Sequence, residues 1–318
     1  MSPVPLPRLP APLVKTLALI GVGLIGSSIA RAAAKSGAAA TIVICDRDPA
    51  ALARAQALGL GQTYTGDIAE AAAQADLVIL CAPVGANGEI AAAMAPALHA
   101  GAIVSDVGSV KSSVVAQVGP LLPEGVHFVP AHPVAGTEQS GPDAGFATLF
   151  HNRWCILTPP PGTEPQAIET MRAFWAALGA NVEIMTPEHH DLVLAITSHV
   201  PHLIAYNIVG TAADLEEVTQ SEVIKFSAGG FRDFTRIAAS DPTMWRDVFL
   251  HNKEAVLEML GRFNEDLTAL QRMIRRGDGQ GLFDLFTRTR AIRRSILQQG
   301  QETAAPDFGR RARETEGE

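Results

Sequence analysis

Apolar positions in the first half of the chain fall in short runs. Thr16–Ile20, Thr41–Cys45, Leu77–Cys81, Ile103–Asp106, His127–Pro130 and Trp154–Leu157 are each four or five residues long and mostly β-branched or aliphatic. That length and content predict strands buried on both faces. Between them lie segments that read as helical runs: Ser27–Ser36, Pro49–Leu58, Ile90–Ala97 and Val110–Val118. A further helix, Glu164–Leu178, precedes a last strand candidate, Val182–Met185. This alternation predicts a doubly wound parallel sheet.

The pattern changes at Thr186-Pro187, where an N-capping threonine and a first-turn proline open a helix. Beyond it no strand pattern recurs. Asp241-Pro242 repeats the signature and is expected to open a long helix. In that helix Val256, Leu260, Phe263, Leu267, Leu270 and Ile274 alternate spacings of four and three. Such a seam fits either one helix packed in its own domain or a dimer with interleaved helices. The expected organisation is a tail over 1–12, a dinucleotide-binding domain over 13–185, a helical substrate and dimerisation domain over 186–300, and a second tail over 301–318.

Composition narrows the function classes. The chain has 318 residues, 47% hydrophobic and 18% charged, with a net charge of −8. An anionic surface argues against nucleic-acid and acidic-membrane partners. Three cysteines, 45, 81 and 155, lack disulfide or metal spacing and suggest reduced, buried thiols in a cytoplasmic protein. No apolar run is read as a membrane span, and the five prolines of residues 1–12 do not resemble a signal peptide.

Chemistry first shows at Leu17–Ala30. The first strand runs into glycines 21, 23 and 26, and a helix follows. Gly21 permits a tight turn, Gly23 lets backbone approach a pyrophosphate, and Gly26 lets the helix pack on the strand. Leu24 and Ile25 line the same loop, and the helix N-terminus favours an anion. Asp46 follows the second strand, 20 residues after Gly26, where an acid accepts from ribose hydroxyls and repels a 2′-phosphate. This indicates NAD and a Rossmann-type domain, although the Arg47 guanidinium is compatible with an extra phosphate.

Ligands of such sheets bind beyond the carboxyl ends of the strands. Three of those ends carry Ala82-Pro83-Val84, then Asp106 to Lys111 with Gly108 and Ser109, then His132 to Glu138 with Gly136 and Thr137. His132 suits acid–base work near neutral pH. Ser109 reads as a hydroxyl or nicotinamide contact, or as a helix cap. In the helical half, His199 and His202 flank Pro201, which frees the carbonyl of Thr197 and predicts a kink. No third ligand of suitable spacing accompanies these histidines, so no metal is expected. Glu188 to Asp191 reads as a solvated helix start. The Gly229-Gly230 pair precedes Asp233 and Arg236, of which Arg236 suits a bidentate carboxylate clamp.

Taken in order, Gly21–Gly26, Asp106–Lys111, His132–Glu138, Ser198–His202, Gly229–Arg236 and Asp241–Asp247 make residues 16–293 resemble the prephenate/arogenate dehydrogenase family of tyrosine biosynthesis. The resemblance implies NAD-dependent oxidative decarboxylation of prephenate, arogenate or both. It also implies His132 and Ser109 at the ring hydroxyl, His202 and Arg236 at substrate carboxylates, and Glu138 and Asp233 balancing Arg236. It makes Trp245 a residue that can reach a neighbouring subunit's site, and it implies a homodimer. No appended mutase or regulatory domain is recognised. A 3-hydroxyacid or 6-phosphogluconate-type dehydrogenase shares the architecture but uses a lysine early in its second domain, and none lies between Thr186 and Ile224. A non-catalytic NAD sensor would not need the acid–base and carboxylate set.

Overall fold

The computed structural model describes residues 8–219 and 228–298. The expected tail over 301–318 and the first seven residues lie outside them, as does Ser227 before the glycine pair. Residues 8–12, expected to be part of a flexible tail, are instead tied to the domain. The Leu9 N–H donates to the Ser36 carbonyl, and the leucine packs against the core.

Six parallel strands form the main sheet in the order β3-β2-β1-β4-β5-β6. These are β1 (Val14–Ile20), β2 (Ala39–Cys45), β3 (Thr63–Thr65), β4 (Leu77–Leu80), β5 (Ile103–Asp106) and β6 (His127–Phe128). Chain order reverses between β1 and β4, which are in register through Leu17 and Leu77. This crevice is where such sheets bind ligands. Strand alternation builds a core on each face. Leu17 and Leu19 enter one apolar cluster, and Ala18 and Ile20 the other. The crossovers include α1 (Leu24–Ser36), α2 (Pro49–Ala57), α3 (Ile68–Ala72), α4 (Asn87–Met94) and α5 (Ser112–Val118).

Two of the expected strands do not join this sheet. β8 (Trp154–Leu157) and β9 (Asn181–Ile184) instead make a three-stranded sheet with β7 (Ala131–Pro133). In it β7 runs antiparallel to β8, and α6 (Pro165–Ala177) joins β8 to β9. Pro130 separates β6 from β7 and has no N–H to continue the ladder. His132 therefore lies within a strand, opposite Ile156.

Helices follow: α7 (Pro187–Leu194), α8 (Val200–Thr219), α9 (Gly229–Thr235), α10 (Pro242–His251), α11 (Lys253–Arg276) and α12 (Gly279–Gln298). The expected kink is a π-turn over Ala195–His199, at the carbonyl that Pro201 leaves unused. The long helix expected from Asp241 is two helices, because Asn252 leaves the helical conformation. Contrary to the sequence reading, the continuous helix Pro187–Leu215 is long and apolar enough to cross a membrane by length and composition alone. Its buried face, however, carries polar side chains: His190, Asp191 and His199. The chain divides into compact units over 1–259 and 260–318, and every site residue discussed below belongs to the first.

Candidate active site

The glycine loop is shaped by close contact. Gly21 has φ +104°, and a Cβ there would stand 2.8 Å from the Cys81 carbonyl oxygen. A Cβ on Gly26 would collide with the Gly21 carbonyl, whereas one on Gly23 would meet nothing within 4 Å. The loop thus excludes side chains where strand and helix touch and leaves open space at Gly23. That is the cradle a pyrophosphate requires, so the residues present fit a dinucleotide. Asp46 holds the loop in shape, as its carboxylate accepts from the Val22 N–H at 2.8 Å and the Asp48 N–H at 2.9 Å. Arg47 is exposed.

Beyond β5, Asp106 and Lys111 form an ion pair at 2.5 Å, and both side chains are sealed from solvent. The Asp106 carboxylate also accepts from Gly108 N–H at 2.7 Å, and the Lys111 ammonium donates to the Ala131 carbonyl at 2.7 Å. Burial drives the carboxyl up and the ammonium down from their ordinary values, and each charge opposes the other's shift. Asp106, expected to touch the cofactor, has its side chain sealed within this pair. The pair fixes the Gly108-Ser109 turn on one side and the strand of His132 on the other. Ser109 is not the cap of α5, which starts three residues later at Ser112. Asp191 takes that role, accepting from the N–H groups of Lys111 at 2.8 Å and Ser112 at 2.9 Å.

Asp191 also starts a relay. Its carboxylate accepts from His190 Nδ1 at 2.8 Å, and His190 Nε2 lies 2.8 Å from His132 Nδ1. The partners assign the tautomers, since a carboxylate only accepts. His190 carries its proton on Nδ1 and offers the Nε2 lone pair, so His132 carries its own on Nδ1. The remaining nitrogen of His132, Nε2, is then a lone-pair base. Burial, with the neighbouring His190, Lys111 and His199, holds His132 well below its ordinary value, so the ring is neutral at pH 7.

The His202 and Trp245 rings stack at 3.6 Å and 23°. His202 Nδ1 donates to the Ser198 carbonyl at 2.8 Å, leaving Nε2 as an acceptor in the neutral ring. Arg236 pairs with Glu138 at 3.3 Å, and both are partly buried. Asp233 is exposed on α9 beside Gly229. Gly136 and Thr137 are exposed in the loop leading to Glu138.

Two family models match the chain: the prephenate dehydrogenase nucleotide-binding domain over 29–184 and the prephenate dehydrogenase dimerization domain over 186–288. The chain is 45% identical to the cyclohexadienyl dehydrogenase of Zymomonas mobilis over 282 residues, covering 89% of this chain and 96% of that one. It is 34% identical to the prephenate dehydrogenase of Bacillus subtilis, covering 92% and 79%. The structure resembles prephenate dehydrogenase from Aquifex aeolicus, solved in complex with hydroxyphenyl propionate and NAD+. The TM-score is 0.83 at 35% identity, covering 89% of this chain and 98% of that one.

The chain belongs to the prephenate dehydrogenase family. It is an NAD-dependent oxidoreductase of tyrosine biosynthesis. The sequence reading named His132 as a candidate but missed the relay behind it. Glu188 to Asp191 looked like a solvated helix start, yet His190 is wholly buried and Asp191 nearly so. A signal was present: Pro187, His190, Asp191 and Leu194 share the buried face of α7 at helical spacing. Trp245, expected to reach a neighbouring subunit, is buried against its own chain's His202.

These buried neutral histidines make stability depend on pH. His199 is pushed from 6.5 down to about 4, chiefly by burial, and His132 and His190 are lowered as well. Below pH 6.5 the unfolded chain takes up protons that the folded chain refuses, so unfolding becomes more favourable as pH falls. The histidines' contribution is therefore complete above about pH 6.5 and declines toward pH 4, with His199 alone accounting for about 3 kcal/mol. Urea denaturation from pH 8 to 4 measures this decline. A flat profile between pH 7 and 5 would contradict it.

Proposed function

We propose that His132 is the base of this dehydrogenase and that Arg236 anchors a carboxylate of a cyclohexadienyl substrate, prephenate, arogenate or both. The observation that carries the reading is the proton order of the Asp191–His190–His132 relay, which leaves a neutral lone pair at His132 Nε2. A base in that state receives the proton of a ring hydroxyl without first losing one of its own. NAD+, when bound, supplies the hydride acceptor for an oxidation that ends in loss of the ring carboxylate as CO2 and an aromatic phenol. The loop of Gly21, Gly23, Leu24, Ile25 and Gly26, with Asp46, Ala82, Pro83, Val84 and Gly108, lines its binding site.

Ser109 stands on the turn that Asp106 braces and shares the hydroxyl with His132. Arg236, held by Glu138, presents a planar fork to the carboxylate. His202 offers an acceptor at Nε2, and burial and Arg236 oppose the protonation that would make it a carboxylate ligand. The carboxylate therefore falls to Arg236.

We also assign the division of labour to 13–185 for the nucleotide and 186–300 for substrate and dimerisation. Along the α11 seam only Val256 is buried in the single chain, while Leu267 and Ile274 are exposed. Exposed Ile196, Ile208 and Val209 on the 187–215 helix add further uncovered apolar surface. A second copy of the chain is the partner that covers it. Cys45, Cys81 and Cys155 are free thiols, which fits a cytoplasmic enzyme.

NADH formation with prephenate and arogenate, beside a 3-hydroxyacid control, tests the activity. Turnover of the 3-hydroxyacid alone would overturn it. Arg236→Gln tests the anchor. Losing a charge-assisted bidentate contact is expected to raise the substrate KM about 10- to 100-fold, with NAD+ affinity unchanged. Weakened NAD+ binding at an unaltered substrate KM would place Arg236 elsewhere.

A further inference from the structure

Helix α10 is ten residues long and touches both sides of the site. Trp245 stacks on His202, and Trp245 and Val248 pack with Val110, next to Ser109. His251 Nδ1 lies 2.8 Å from the Ser113 hydroxyl on α5, which also receives the Gln117 amide at 2.7 Å. Between these contacts, the Gly85 N–H donates to Asp247 Oδ2 at 3.3 Å. The other oxygen, Oδ1, accepts from Arg246 Nε at 2.9 Å and Nη2 at 2.7 Å. Asp247 is only 7% exposed, so its carboxylate is committed to these partners.

Gly85 lies in the 3-10 turn Val84–Ala86, which leads directly into α4. The turn has neither a side-chain cap nor an acidic residue of its own, so the Gly85 N–H has no local anionic partner. Asp247 supplies the missing anion from a distant part of the sequence. The approach is close enough to dictate the residue it meets. A Cβ on Gly85 would stand 2.8 Å from Asp247 Oδ2 and 3.6 Å from His251 Nε2. The same turn adjoins the nucleotide crevice, because Cys81 and Ala82 abut Gly21, and Val84 lies against Gly108.

We propose that Asp247 is a positioning residue that holds the Ala82–Ala86 segment against α10, fixing the nucleotide side of the site to Trp245 and His202 on the substrate side. The assignment of the two sides rests on the function proposed above. A helix moves as a rigid rod, so a displacement at Asp247 is passed to Trp245, two residues away. A cofactor loop held in place before binding costs less ordering when the nucleotide arrives.

Asp247→Ala and Asp247→Asn test the idea through NAD+ titration and amide hydrogen exchange of the protein without nucleotide. Asp247→Ala is expected to weaken NAD+ binding about tenfold and to speed exchange at the amides of Gly85 to Asn87, with β1 and β5 unaffected. Asp247→Asn keeps an acceptor for the Gly85 N–H and should restore both readouts to within about threefold. Gly85→Ala should reproduce the loss by displacing the carboxylate, and adding it to Asp247→Ala should cause little further loss. Unchanged affinity and exchange in Asp247→Ala would overturn the proposal, as would exchange raised uniformly through the domain. A wild-type protein that binds no NAD+ would instead overturn the proposed function.

Discussion

His132→Asn is expected to lower kcat about 10²- to 10⁴-fold while leaving NAD+ binding nearly intact, the scale on which a positioned base contributes. Asparagine retains a polar group near His190 but has no lone-pair nitrogen to accept the hydroxyl proton. Because His132 is held well below its ordinary value, wild-type kcat should stay level from pH 8 down through 6.5 and fall only well below that. The variant should lose that acid limb along with its rate. Steady-state kinetics across pH 5 to 8 provide the measurement. Unchanged turnover, or a surviving acid limb, would remove His132 from the chemistry and leave the relay as packing.

Lys111→Met is expected to produce the second large effect, a loss of roughly 3–5 kcal/mol in folding stability, because removing one partner of a buried pair strands the other. Methionine approximates the volume of the lysine stem, so the loss reports the unpaired Asp106 carboxylate and not a cavity. Adding Asp106→Asn removes the stranded charge and should recover part of that stability, although the Gly108 N–H contact weakens. Urea unfolding of the two variants distinguishes these terms. A loss below about 1 kcal/mol in Lys111→Met would show that Asp106 is already neutral in the folded protein. The single variant should also reduce kcat, since Lys111 ties the Ala131 carbonyl, and so the strand of His132, to the Ser109 turn.

Much of the framework was legible in the chain. The burial of β1 on both faces and the glycine spacing at 21, 23 and 26 follow from apolar run length and local sterics, which a sequence states directly. The boundaries of β5 and β8, and the helix starts at Pro187 and Pro242, were likewise read from strand composition and N-capping chemistry. Other features were not legible because they depend on which distant segments meet. Local pattern gives strands but not their partners, so β8 and β9 could not be told apart from members of the main sheet. The solvated reading of His190 and Asp191 was reasonable for a polar first turn. It failed because the start of α5 lacks a cap of its own, and Asp191, 80 residues away from Lys111, fills that need.

The sequence by itself determined the dinucleotide loop, the family and the set of candidate site residues, since each follows from short-range spacing of particular side chains. Tertiary structure alone decided their protonation and alignment. Burial makes His132 neutral, and the carboxylate of Asp191, acting through His190, orients its proton. Asp106, read from the sequence as a cofactor-binding residue, is half of a sealed ion pair. Desolvation and hydrogen-bond direction are properties of what surrounds a group in space, and for these groups the surroundings lie many residues away along the chain.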